Sequence, residues 1–222
     1  MWCIPKVTPE FIERMEDILE LYAKSYNPKE PVLTFDEKSK QLIGDMRTVK
    51  NTKEGILRKR DYEYKRNGTR NIFVTVEPKR GWREVTVTKQ RTKKDFAKEM
   101  KRIIALPLYE NAIKIHIVLD NLNTHFEKSF IETFGVEETK KLMDRIMFHY
   151  TPKHASWLNM AEIEIGILNR QCIRGRIPTE ERLIRSIDAW KYERNIQKAK
   201  INWRFTVNDA RIKFKYEESK LN

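Results

Sequence analysis

The sequence predicts an α/β domain built on a mixed sheet, and three observations carry that prediction. Two short apolar runs, at 31–35 and 113–119, each end on an acid, Asp36 and Asp120. Runs of this length and β-branched character, bounded by polar residues, read as buried strands. Two further β-rich runs, 71–77 and 82–88, are joined by Pro78-Lys-Arg-Gly81 and read as a hairpin. Elsewhere the apolar residues recur every three or four positions, the period of a helix packed on one face. Strand, hairpin, helix, strand, helices, strand, helices is the order of an α/β fold with a mixed sheet.

The first element is a helix over about 8–24. Phe11, Ile12, Met15, Ile18, Leu19 and Tyr22 share a face, Thr8 can cap the first turn, and Pro9 suits the first helical position. The strand at 31–35 follows, with Asp36 at its C-terminal end, and the hairpin pairs back onto it. Thr92-Lys-Lys-Asp95 opens a helix over 92–106 with Phe96, Met100, Ile103 and Ile104 on one face. After the strand ending at Asp120, one or two short helices occupy 127–145. A short strand at 146–150 precedes Thr151-Pro152. A helix over 157–174 places Leu158, Ala161, Ile165 and Leu168 together, and a second long helix runs from about 179 to 200, after Pro178. No repeat or linker divides the chain, so 1–222 reads as a single domain.

With 222 residues and 40% hydrophobic content the chain can bury a substantial core. Its 45 Lys and Arg against 32 Asp and Glu leave a net charge of +13, which makes a polyanion the first partner to consider. Two distant cysteines, Cys3 and Cys172, form no C-x-x-C pair and argue against a disulfide scaffold, zinc knuckle or iron–sulfur site. A reducing, cytoplasmic compartment is expected. No stretch has membrane length and the N-terminus lacks an apolar secretory core, so no membrane partner is expected.

The charge is uneven. Residues 1–46 hold 6 basic and 9 acidic side chains, 47–102 hold 19 and 7, 103–169 hold 6 and 9, and 170–222 hold 14 and 7. Mildly acidic blocks thus alternate with strongly basic ones. Either this is a solvated Lys/Arg surface, or the acids hold metal while the basic blocks bind phosphates around them. Candidate backbone contacts in the second block are Arg58, Lys59, Arg60, Lys65, Arg66, Lys93 and Lys94, with Arg91 beside them. On the last long helix Lys191, Arg194 and Lys198 recur at i, i+3 and i+7, a stripe that either tracks a strand of nucleic acid or solvates the helix.

Three segments place a carboxylate at the edge of a regular element: Thr34-Phe-Asp36-Glu-Lys-Ser39, 118–125 (VLDNLNTH), and 150–162 (YTPKHASWLNMAE) ending on Glu162. Acids at the C-terminal ends of strands in an open α/β sheet lie where such sheets bind ligands. Three oxygen donors suit Mg²⁺ or Mn²⁺, and two such ions can activate a hydroxyl and stabilise a leaving oxygen in phosphodiester chemistry. A strand-terminal Asp is also a common turn residue or cap. His125, His149 and His154 match no helical H-x-x-x-H zinc pair.

Twelve segments, among them Phe35-Asp-Glu-Lys38, Lys40-Gln-Leu-Ile-Gly44, Gly81-Trp-Arg83, Asp120-Asn-Leu-Asn-Thr-His125, His149-Tyr-Thr-Pro-Lys-His154, Ser156-Trp-Leu-Asn-Met-Ala-Glu-Ile-Glu164 and Asp209-Ala-Arg-Ile-Lys213, closely resemble the bacterial insertion-sequence transposases of the "six-thirty" family in the mariner superfamily. The resemblance runs through nearly the entire chain. It implies a ribonuclease-H-like fold, with a five-stranded mixed sheet flanked by helices, and makes Asp36, Asp120 and Glu162 a catalytic, metal-binding triad for two Mg²⁺ or Mn²⁺ ions. Glu162 is preferred to Glu164 because two helical steps turn a side chain by roughly 200°. Asn121, His125 and Asn159 are supporting candidates, Asn159 equally a helix cap. The 41 residues between Asp120 and Glu162 exceed the mariner spacing and imply an insertion at 127–145.

The activity implied is cleavage of transposon ends and strand transfer into target DNA, with double-stranded DNA as partner and a homodimer on DNA. Relatives carry helix-turn-helix modules ahead of this domain, so an upstream helix-turn-helix polypeptide is a further expected partner of a nucleoid-associated bacterial protein. The alternatives are a non-catalytic truncated transposase acting as a DNA-binding or dimerising inhibitor, and a ribonuclease-H-like nuclease without strand transfer.

Overall fold

Helix α1 (Pro9–Ala23) forms where the apolar spacing predicts it. Thr8 accepts a hydrogen bond from the Phe11 N–H, and Phe11, Ile12, Met15, Ile18, Leu19, Leu21 and Tyr22 are buried. The computed structural model describes residues 7–47, 62–120 and 127–216. Five strands form one sheet: β1 (Val32–Asp45), β2 (Tyr64–Glu77), β3 (Trp82–Thr88), β4 (Ile115–Leu119) and β5 (Ile146–Tyr150). Their order is β3-β2-β1-β4-β5. The β1–β2 and β2–β3 pairs are antiparallel, and β1–β4 and β4–β5 are parallel. The sheet is therefore mixed, as the element order predicts.

Helices cover both faces. On one side α2 (Lys93–Ile104), α3 (Glu127–Phe134) and α4 (Val136–Met143) bury Phe96, Met100, Phe130 and Leu142 against Leu33, Phe35, Phe73 and Ile117. On the other side lie α1, α5 (Met160–Gln171), α6 (Glu180–Ile196) and α7 (Val207–Phe214). There Met160 packs with Val118 and the α1 core, while Leu168, Leu183, Ile187 and Trp190 meet Ile72, Val74 and Val76. Alternation along β1 divides these layers, since Leu33 and Phe35 point to the first face and Thr34 and Asp36 to the second.

Four features differ from the sequence reading. β1 does not stop at Phe35 but continues through a mixed polar and apolar stretch, paired with β2 as far as Asp45↔Tyr64. Asp36 is consequently inside a strand. β2 begins earlier for the same reason, because cross-strand backbone bonds sustain a ribbon whose side chains are mostly exposed. The expected helix over 157–174 is broken: a single 3₁₀ turn, Ser156–Leu158, precedes an extended Asn159, and α5 starts only at Met160. Finally, α7 has no counterpart in the sequence reading, although Thr206-x-x-Asp209 forms a reciprocal capping box of the kind Thr92 and Asp95 make for α2.

The loop between α5 and α6 docks on the β1–β2 ribbon. The Ile43 N–H bonds the Ile177 carbonyl, Lys40 Nζ donates to the carbonyls of Ile173 and Gly175, and Arg176 pairs with Asp45 at 2.6 Å. The ribbon is thus held by α5's continuation.

Candidate active site

Parallel pairing of β1 with β4 covers only Val32↔His116, Leu33↔Ile117 and Thr34↔Val118. Asp36 lies two residues beyond the last pair on β1, and Asp120 two beyond it on β4. With a side-chain period of two, both acids project on the face of Thr34 and Val118, toward α5. Glu162 sits in the first turn of α5. The three acids therefore come from a strand interior, a strand end and a helix start, near enough for Asp120 and Glu162 to act on the charge of Asp36.

Asp36 carries the electrostatic mark of that convergence. Burial, followed by the negative charges of Asp120, Glu162 and Glu37, pushes its carboxyl up to about 7, against the opposing effect of the Glu37 N–H, which donates to Oδ1 at 2.7 Å. Asp120 Oδ1 accepts from the Thr151 hydroxyl at 3.0 Å, which ties the end of β4 to the end of β5. Glu162 is exposed. Among the described residues no three His, Cys, Asp or Glu side chains stand close enough to grip one ion unaided. The set is an open one, suited to a hard cation that keeps water and takes phosphate oxygens.

Asn159 connects two of the acids through the backbone. Fully buried, it donates from Nδ2 to the Phe35 carbonyl at 2.8 Å, one residue before Asp36, and accepts from the Ala161 N–H at 3.1 Å as the cap of α5. One side chain thus caps α5 and, through a separate bond, ties the start of that helix to β1. Arg91, which sequence reasoning named only as part of a basic run, reaches Glu37 at 2.9 Å and ties the segment before α2 to β1.

The basic candidates divide. Lys65, Arg66 and Lys94 are exposed, the first two on the β1–β2 ribbon, and Lys93 stands 4.0 Å from Glu132. The three cations of the stripe on the last long helix do not line one open face. Lys191 pairs with Glu84 on β3 at 2.9 Å, Arg194 grips Glu164 at 2.7 Å, and α6 ends at Ile196, so Lys198 leaves the helical face in a turn with φ 46°. The reason is packing: this face of α6 lies on β3 and α5, where the half-buried Glu84 and the buried Glu164 take its cations. Arg58, Lys59, Arg60, Asn121 and His125 lie outside the described residues. His149 is bound to Asp17 at 2.6 Å and to His116 at 2.9 Å.

A family model described as DDE superfamily endonuclease matches residues 31–184, from the start of β1 into α6. The chain belongs to the DDE superfamily endonuclease family. No curated protein matches the sequence. Among solved structures, this DDE endonuclease is similar to the Mos1 transposase paired-end complex with left transposon end, with TM-score 0.54 and 14% identity over 90% of this chain and 62% of that one. The mariner Mos1 paired end complex with Mg gives 0.53 and 16% over 94% and 64%, and the complex with Mn gives 0.53 and 13% over 90% and 61%. At such identities the likeness concerns the fold, which is ribonuclease-H-like. The DDE endonuclease spans a little over three fifths of the Mos1 chains it matches.

Proposed function

We propose that this chain is the catalytic domain of a transposase that cuts transposon ends and joins them to target DNA, using Asp36, Asp120 and Glu162. The observation that carries this reading is the convergence of those acids inside a DDE endonuclease fold, with Asp36 raised to about 7 by burial and by neighbouring carboxylates that oppose its charge. An all-oxygen donor set with excess negative charge fits Mg²⁺ or Mn²⁺. When bound, two such ions supply activation of a water or 3′-hydroxyl and neutralise charge developing at phosphorus.

The chain's own residues hold that arrangement in place. Thr151 fixes the rotation of the Asp120 carboxylate, and Asn159 sets the start of α5 relative to β1. Arg91 and Lys94 at the start of α2, with Lys65 and Arg66 on the ribbon, are placed for phosphate contact with double-stranded DNA. Among the described residues no helix is long and apolar enough to cross a membrane. The motif resemblance supports the finer assignment to bacterial insertion-sequence transposases of the "six-thirty" family, acting in the cytoplasm at the nucleoid. Pairing of two ends implies a homodimer on DNA, joined by a helix-turn-helix region or polypeptide for end recognition.

Incubation of the purified chain with supercoiled plasmid and Mn²⁺ tests the chemistry. Nicked and joined products that disappear with EDTA and in Asp120→Asn support the proposal. Hydrolysed ends with no joined DNA favour a nuclease, and DNA binding without cleavage favours a non-catalytic inhibitor.

A further inference from the structure

Glu164 is fully buried, two residues beyond the exposed Glu162 on the same helix. A two-residue step turns a helical side chain by roughly 200°, so Glu164 faces away from the acids. Behind α5 it meets two guanidinium groups. Arg83 of β3 approaches Oε1 at 2.9 Å, while Arg194 of α6 grips both oxygens, at 2.7 Å to Oε1 and 3.0 Å to Oε2.

Both arginines are themselves fixed. Arg83 is fully buried, donating to the carbonyls of Gly81 and Ala199 and to the Asn195 side chain, whose amide returns a bond to the Arg83 carbonyl. Gly81, with φ +75°, lets the hairpin turn lie against the Lys198 backbone, where an added Cβ would come within 2.3 Å of the carbonyl oxygen. The Arg194 guanidinium lies 5.5 Å from the centre of the Trp190 ring. A carboxylate held by a two-point fork and a second cation has little freedom to rotate. The helix bearing it shares that restraint, and its other end is tied to β1 by Asn159.

From this geometry we infer that Glu164 is a positioning residue: clamped between Arg83 and Arg194, it sets the rotation of α5 and so aims Glu162 at Asp36 and Asp120. The inference rests on the reading of those three acids as metal ligands. A carboxylate two residues from a catalytic one is then neither a spare ligand nor a surface charge but the rear anchor of the same helix.

Mn²⁺ binding to the purified chain, followed by electron paramagnetic resonance with thermal unfolding alongside, separates this role from a purely structural one. Glu164→Gln is expected to weaken Mn²⁺ binding about tenfold, as loss of a ligand-orienting contact does. In a Glu162→Gln background the same change is expected to have no further effect on Mn²⁺. A lowered melting temperature with unchanged Mn²⁺ affinity, or equal losses in both backgrounds, overturns the inference. If Glu162→Gln alone leaves Mn²⁺ binding intact, the ligand assignment itself fails and the inference falls with it. Should Glu164→Gln not fold, Arg194→Met, which keeps the Arg83 contact, puts the same question and is read by the same outcomes.

Discussion

Replacing Asp36 by Asn removes one charge while keeping the Oδ1 acceptor that the Glu37 N–H uses. In the folded, metal-free chain the Asp36 carboxyl titrates at about 7 instead of 3.8, chiefly through burial and then through Asp120 and Glu162. Below 3.8 both folded and unfolded chains hold the proton. Between there and about 7 the unfolded chain releases it while the folded chain retains it, so the wild type loses stability as pH rises through this window. A rise of that size in the folded state corresponds to a ceiling of about 4 kcal/mol, and water in an open site reduces that to about 2 kcal/mol. Asp36→Asn is therefore expected to be more stable than wild type at about pH 8, with the advantage shrinking toward about pH 5. Urea unfolding of both proteins in EDTA at the two pH values measures the difference directly. Millimolar Mn²⁺ is expected to raise the wild type and leave the variant unmoved. A variant less stable than wild type at the higher pH, or a gap that does not change with pH, refutes the electrostatic account of the site.

Other consequences are simpler. Asn159→Ala removes the α5 cap and the bond to the Phe35 carbonyl, and is expected to cost about 2–3 kcal/mol in chemical denaturation. Gly81→Ala forces a side chain into a positive-φ position against the Lys198 backbone, and a loss of more than about 2 kcal/mol is expected by the same measurement. In fluorescence anisotropy against duplex DNA, removing Lys65, Arg66 or Lys94 is expected to lower the log–log salt slope by about 0.9 each, whereas Lys191→Ala leaves it unchanged. His116, held below the usual imidazole range first by burial and then by His149, adds stability above its unfolded pKa that is lost as pH falls. His116→Asn is expected to flatten the decline in urea midpoint between about pH 7 and 5.

The central strands, the hairpin and α2 were legible because each couples a period to a boundary signal, as in Thr92-Lys-Lys-Asp95. The β1–β2 ribbon was not, because 37–41 (EKSKQ) has no apolar face. What sustains it is backbone pairing with β2 and the docking of 173–178, neither of which leaves a local mark. Asp36, Asp120 and Glu162 stood out by their places at the edges of predicted elements, and the long motifs then singled them out as a set. The Lys191, Arg194 and Lys198 stripe left two readings open because helical spacing shows that cations share a face but not which acids lie beneath it.

The short contact between β1 and β4 gives the site a mechanical character. Three residue pairs join those strands, whereas β1 runs with β2 for most of its length. Asp36 thus rides on the antiparallel half of the sheet and Asp120 on the parallel half, like the two jaws of a plier whose pivot is Thr34↔Val118. A slight change of twist at the pivot alters the gap between the carboxylates while disturbing few backbone bonds.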